Sequence, residues 1–247
     1  MKIIRAILDF FISLRTAIWL SFSLIFLLFA GGFIMPAREE FQSLHTTPLF
    51  AWLGDNDPRV TWWLYGSLFV LSLLAANTLV CSVESLIRKR SARTWLLTIS
   101  PQVIHIGFLF ILLAHLLSSY DSFQGMAMVR EGEQLPLPNG VTVVIDGIHA
   151  DIDPRGYINE WSADVRYVQN VRGEQSAAGG TIRPNEPLFY GGFGLYIKTV
   201  KFQPYPTALI QVSRDPGALY ALIGGILFLI GMTTLLMLKI RRESPQE

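Results

Sequence analysis

Apolar runs long enough to cross a bilayer occupy both ends of the chain, and between residues 120 and 215 they give way to short segments in which polar and apolar positions alternate. The first run, about 17–35, extends from Ala17 to Met35 without a charge and is closed by Pro36. At about 1.5 Å per helical residue such a run matches the roughly 30 Å of hydrocarbon in a membrane. A second run, about 62–86, opens on Trp62, Trp63 and Tyr65, read as aromatic anchors at a membrane boundary, and continues through FVLSLLAANTLVCSV. Ser72 and Asn77 inside it are expected to bond to neighbouring helices. The third, about 101–119, carries PQVIHIGFLFILLAHLLSS, and a fourth follows from about Ala218 to Leu238. In the fourth, Ala221 and Gly225 stand in small-xxx-small spacing, while Gly224, Gly225 and Gly231 are read as packing positions.

Between the third and fourth runs the period changes. The segments MAMVRE, VTVVIDGIHA, YINEWSADVRYVQ, GLYIKTVKF and TALIQVS are rich in Val, Ile, Tyr and Thr and are bounded by Pro, Gly, Asn and Asp. That is the signature of strands, and about 95 residues of it suit a small sandwich or an open barrel. The fold class expected is therefore membrane α-helical, four transmembrane helices with an all-β extracytoplasmic domain inserted between helices three and four. Its parts are an amphipathic inner-face segment at 1–16, three spans within 17–119, the β domain at 120–215, and the fourth span with a basic tail at 216–247.

Composition fits this reading, since 51% hydrophobic against 16% charged residues is too apolar for an ordinary soluble domain. A formal net charge of +1 suits no nucleic-acid partner, and what matters is where the basic residues stand. Lys2, Arg5 and Arg15 precede the first run, Arg88, Lys89, Arg90 and Arg93 separate the second from the third, and Lys239, Arg241 and Arg242 follow the fourth, against only Arg38 and Arg59 between the first two. The positive-inside rule then puts both termini in the cytoplasm and the β domain outside. Cleavage of the first run as a signal peptide is not expected, because the run exceeds a usual signal core.

One cysteine, Cys81, excludes an internal disulfide, a CxxC pair, a Cys-based zinc site and a CxxCH haem attachment sequence. GxSxG, HExxH and P-loop motifs are absent, and Asp151 and Asp153 beside His149 read as a solvated turn more readily than as a metal site. The third run holds the chemistry, in His105 and His115. An ionisable group at such depth is either hydrogen-bonded between helices or a ligand, and imidazole is a common axial ligand of haem iron. The two are about 15 Å apart along one helix and about 80° apart around it, so they cannot grip one iron together. Runs one, two and four contain no histidine, so a bis-histidine haem at His105 would need a ligand from another protein. Met232 and Met237 read as core.

SLRTAIWLSFSLIFLLFAGGFIMP, WWLYGSLFVLSLLAANTLVCSVE, HIGFLFILLAHLLSSYDSFQGMAMVREGE, NEPLFYGGFGLYIK and VSRDPGALYALIGGILFLIG, in that order of spans, resemble the ResB family, called Ccs or CcsB in fused forms. The resemblance implies system II cytochrome c maturation in a bacterial cytoplasmic (inner) membrane. In it, a ResB protein and a CcsA protein carry haem outward and join it to the CxxCH thiols of apocytochrome c. This chain would be a non-catalytic or co-catalytic subunit of that haem lyase complex, binding haem b transiently and sharing it with its partner. His105, in the HIG setting, matches the third-span histidine that ligates haem in the family, while His115 is the weaker candidate. The outside domain is shorter than is common in the family, which makes this a compact member. Two other classes stand beside this one: a cytochrome b-like anchor passing electrons from quinol through separate haems at His105 and His115, and a non-haem scaffold whose β domain docks other proteins.

Overall fold

The computed structural model describes residues 9–45, 47–88, 95–171 and 174–243. The first half of the amphipathic segment expected at 1–16, the basic residues Lys89, Arg90 and Arg93, and the last four residues lie outside the described residues. The chain divides into two compact units, a helical one and a β domain of residues 121–215 that follows the third long helix.

Among the described residues, four helices are long and apolar enough to cross a membrane. They are α1 (Leu14–Ile34), α3 (Pro58–Arg88), α4 (Trp95–Asp121) and α5 (Ala218–Glu243), with the short α2 (Leu49–Asp55) between the first two. The α4 helix begins well before Pro101, which the sequence reading took as its start, since Pro101 lies inside the helix. A proline costs a helix only its own N–H and crowds the preceding turn. Here Ser100 turns its hydroxyl back to the Leu96 carbonyl at 2.7 Å within that turn. His105 therefore stands about 15 Å along the helix from Trp95, rather than one turn in from its start.

The segment joining α1 to α3 is built around aromatic residues. Two 3-10 turns, Met35–Ala37 and Glu39–His45, fold Phe41 against Trp52 and Trp63, with ring centroids 5.0 and 6.0 Å apart. The Trp52 indole donates to the Glu40 carbonyl at 3.0 Å, and the Tyr65 hydroxyl to the Leu53 carbonyl at 3.2 Å. Trp63 is thus buried rather than a boundary anchor, whereas Trp62 and Tyr65 keep exposed rings. A Cβ at Gly31 would strike the Trp63 ring, so that glycine makes room for the indole.

The α4 and α5 helices meet backbone to backbone. A Cβ placed on Gly107 would lie 2.6 Å from the Phe228 nitrogen and 2.7 Å from the Gly224 carbonyl oxygen. Gly217, Gly224 and Gly231 repeat every seventh residue, and each faces α4: Gly217 meets Ala114 and Ser118, Gly224 meets Gly107, and Gly231 meets Ile104 and the Ser100 carbonyl. A seven-residue repeat keeps small residues on one helix face, which is how backbones approach closely in an apolar medium. Gly225, expected to share this role, faces open space, and the methionines read as core, Met232 and Met237, are exposed.

The β domain is a sandwich of two four-stranded antiparallel sheets, ordered β1-β8-β7-β6 and β2-β3-β4-β5. Its strands are β1 (Phe123–Arg130), β2 (Gln134–Pro136), β3 (Thr142–Ile152), β4 (Ile158–Val171), β5 (Glu174–Ile182), β6 (Leu188–Tyr190), β7 (Phe193–Lys201) and β8 (Thr207–Arg214). The alternating apolar positions of both sheets meet in one core, with Val143, Ile145, Ala163 and Ile182 from one and Leu195, Ala208 and Ile210 from the other fully buried. Alternation breaks after Ile145, where a bulge between Ile145 and Gly147 shifts the inward position to Ile148. Strand β1 pairs with β8 from Phe123↔Arg214 to Arg130↔Thr207, and Arg214 bonds Asp121 at 2.8 Å. First and last strands are therefore neighbours, which lets a whole domain be inserted between two helices.

Candidate functional site at the helix interface

His105 is half-buried on α4 and faces Ser82 of α3, whose hydroxyl oxygen lies 2.9 Å from His105 Nδ1. Ser82 itself is buried. Two proton arrangements satisfy this pair. In one the serine hydroxyl donates to Nδ1; in the other Nδ1–H donates to the serine oxygen and leaves the Nε2 lone pair free. The second is the form in which imidazole binds a metal, its other nitrogen being held by an outer partner.

A cleft of about 380 Å³ lies beside this pair, and His105, Gln102, Asn77 and Cys81 are among the residues lining it. Its polar wall is largely committed to backbone. The helix before α1 is interrupted at Ser13, and the freed Phe11 carbonyl accepts the Asn77 amide at 2.6 Å and the Cys81 thiol at 3.3 Å. Asn77 thus bonds between helical segments as expected. Ser72 does not, because its hydroxyl turns back to the Leu68 carbonyl of its own helix. Gln102, one turn before His105 on α4, is buried, and its Oε1 has no hydrogen-bond partner among the described residues. A buried acceptor without a donor is costly, so this wall favours a group that brings one.

His115 is separate from this cleft. It is exposed on α4 at the side of a second groove, about 290 Å³, whose walls are mostly leucines, among them Leu68, Leu71, Leu112 and Leu116. The two histidines are not brought to one centre. Whether the residues suit a haem can be read from the donor set: at the first cleft one imidazole with an outer hydrogen-bond partner, and a thiol already bonded to carbonyls. The imidazole, with its other nitrogen held by Ser82, would suit a haem iron.

Among the described residues no group of three or more His, Cys, Asp or Glu is arranged to hold a metal ion. His149 instead pairs through Nε2 with Asp164 at 2.9 Å, and Asp153 accepts the backbone N–H groups of Arg155 and Tyr157 at 2.9 Å each, closing the β3–β4 turn. The sequence reading did not find Ser82. A serine in an apolar helix is common, and only the approach of α3 to α4 shows which serine meets the histidine.

Residues 93–208, covering α4 and the β domain as far as the start of β8, match the model of the ResB-like family. The chain is 27% identical over 135 residues to the cytochrome c biogenesis protein CcsB of Thermosynechococcus vestitus, a match covering 48% of this chain and 30% of that protein. It therefore spans about a third of the length of that curated relative. Among solved structures, the cytochrome c haem lyase CcmF superposes with a TM-score of 0.44 at 15% identity, over 91% of this chain and 35% of that one, a likeness too distant to carry an argument. The likeness to the ResB-like family thus runs from the third long helix to the start of the last strand.

Proposed function

We propose that this chain is a membrane subunit of a ResB and CcsA type complex, in which it takes part in cytochrome c biogenesis by helping deliver haem across a bacterial inner membrane to apocytochrome c. The family match and the CcsB relative support the process. The single observation that carries the site is the Ser82–His105 pair at the α3–α4 interface.

In this proposal His105 would offer Nε2 to the haem iron, with Ser82, accepting from Nδ1–H, fixing the ring and its tautomer. When bound, haem b supplies the vinyl groups to which the thiols of a CxxCH client add. This chain's own work is to hold and orient: the α4–α5 glycine contacts hold the helix that bears His105, and Gln102 offers an acceptor at the cleft wall. With one imidazole at the cleft, a CcsA-like partner would supply a further ligand, and the subunit would be non-catalytic or co-catalytic and share the haem transiently. Both termini lie in the cytoplasm and the β domain outside, a reading supported by the placement of Lys and Arg along the chain.

Absorption spectra of the purified protein, alone and co-expressed with a CcsA-type partner, test this proposal. Little haem alone and a bis-histidine spectrum only with the partner is the expected result. Stoichiometric bis-histidine haem in this subunit alone would favour a cytochrome b-like electron carrier using His105 and His115 separately, and no haem with or without the partner would favour a scaffold.

A further inference from the structure

A second site stands in the β domain, where the β7 edge opens. Strand β6 pairs with β7 only from Leu188↔Leu195 to Tyr190↔Phe193, and among the described residues no strand pairs with β7 on that side from Tyr196 onward. The reason lies in the sequence. Pro187 would be the next residue of β6, and proline has no N–H to donate to a ladder. The chain instead makes a tight turn over Arg183–Glu186, with Pro184 second and Asn185 third at φ +65°, the left-handed position such a turn requires. The space a continued β6 would fill is a cavity of about 550 Å³.

Its walls share one chemical sense. Trp161 of β4 lines it, and its indole N–H is shut off from solvent with no acceptor among the described residues. Lys198 lines it too, placed by a bulge between Ile197 and Thr199, exposed and with no carboxylate within ion-pair distance among the described residues. Arg183 supplies a second cation, tied to Glu186 at 3.2 Å, and the Tyr196 ring sits beneath the Lys198 ammonium at 5.6 Å. An unpaired cation asks for an anion, and the open edge beside it asks for a backbone in extended conformation.

We infer that the cavity between the Arg183–Pro187 turn and β7 is a docking site for an extended peptide bearing a carboxylate side chain, which adds to β7 as a short strand and sets its acid against Lys198, with the Trp161 ring as an aromatic wall. Charge complementarity selects this occupant over an apolar one. The open ladder selects a peptide over a small carboxylate, which could use the cations but not the edge.

The test uses the full-length protein in detergent and the fluorescence anisotropy of a short fluorescein-labelled peptide alternating valine and threonine around one central glutamate. It should bind about tenfold more tightly than its glutamine counterpart, as expected for a charge-assisted bond. The advantage should shrink with added salt. Lys198→Gln, an exposed change, should abolish the preference for glutamate. A version interrupted by proline should not bind. Equal binding of the glutamate and glutamine peptides, or an undiminished preference in Lys198→Gln, would overturn the site; equal binding of the proline-interrupted version would overturn the strand pairing.

Discussion

Ser82 and His105 stand 2.9 Å apart on neighbouring long helices, the serine buried and the imidazole half-buried at the side of a cleft. An imidazole held at Nδ1 by a hydroxyl on another helix has its ring orientation set by helix packing rather than by its own rotamer preference. This ties the proposed ligand to the α3–α4 contact, and through Gly107 and Gly224 to the α4–α5 contact.

The first prediction concerns the serine. Ser82→Ala removes the partner of Nδ1 and leaves the ring free to turn, so haem retained by the complex should weaken on the order of tenfold, the usual scale for outer-shell partners of metal ligands. Ser82→Thr keeps the hydroxyl and should retain most of the haem. Pyridine haemochrome content of the purified complex is the readout, and equal loss in both variants would mean that volume, not the hydrogen bond, matters.

Packing of α4 on α5 gives the second. Gly224→Val must push against the Gly107 carbonyl and Ile111, both within 2.9 Å of a Cβ there, and overpacking of this kind costs about 1–3 kcal/mol. Gly225→Ala meets nothing and should be neutral or stabilising by about 0.5–1 kcal/mol, the usual gain from removing a mid-helix glycine. Thermal unfolding in detergent compares the two, and equal effects would contradict the assigned face.

Tyr167 supplies a pH test of the β domain. Burial, with the Tyr190 ring stacked at 4.4 Å, pushes its phenol up to about 12 from an ordinary value of 10.0. A group whose folded value is raised stabilises the fold fully below its unfolded value and loses that contribution as pH rises through the folded one. Stability should therefore fall between about pH 10 and about pH 12, and Tyr167→Phe should flatten that part of the profile. At the acid end, the Arg166 guanidinium beside Asp146 holds its carboxyl below the usual range, so this pair's contribution is present at neutral pH and is lost only as pH falls below the ordinary carboxylate value.

The long helices were legible because runs such as Ala17 to Met35 carry no charge at all, and the β domain because its period switches to two. Helix ends were not, since Pro101, read as the start of the third span, lies inside α4. Trp63 reads like Trp62 beside it, yet one is buried against Gly31 and the other is exposed, a distinction made by partners far along the chain. Gly224 and Gly231 were legible as packing positions, whereas Gly217 joins their seam only in the fold and Gly225 faces open space. Within the candidate site, His105 and His115 were plain as ionisable groups in an apolar run, whereas Ser82 and Gln102 gain meaning only from what lies opposite them.

Orientation is tested by reporters active only outside the cytoplasm. A fusion after residue 150 should give signal, and fusions after residue 92 or 247 should not. The reverse pattern would overturn the placement argued from the basic residues.

The most direct measurement is of haem and cytochrome maturation in His105→Gly, with the CcsA-type partner present and protein level unchanged. Loss of the side chain should lower the haem retained by the complex and stop maturation, added imidazole should enter the vacated position and restore part of both, and His115→Gly should do much less. Normal haem retention and maturation in His105→Gly would contradict the assignment of this histidine as a ligand.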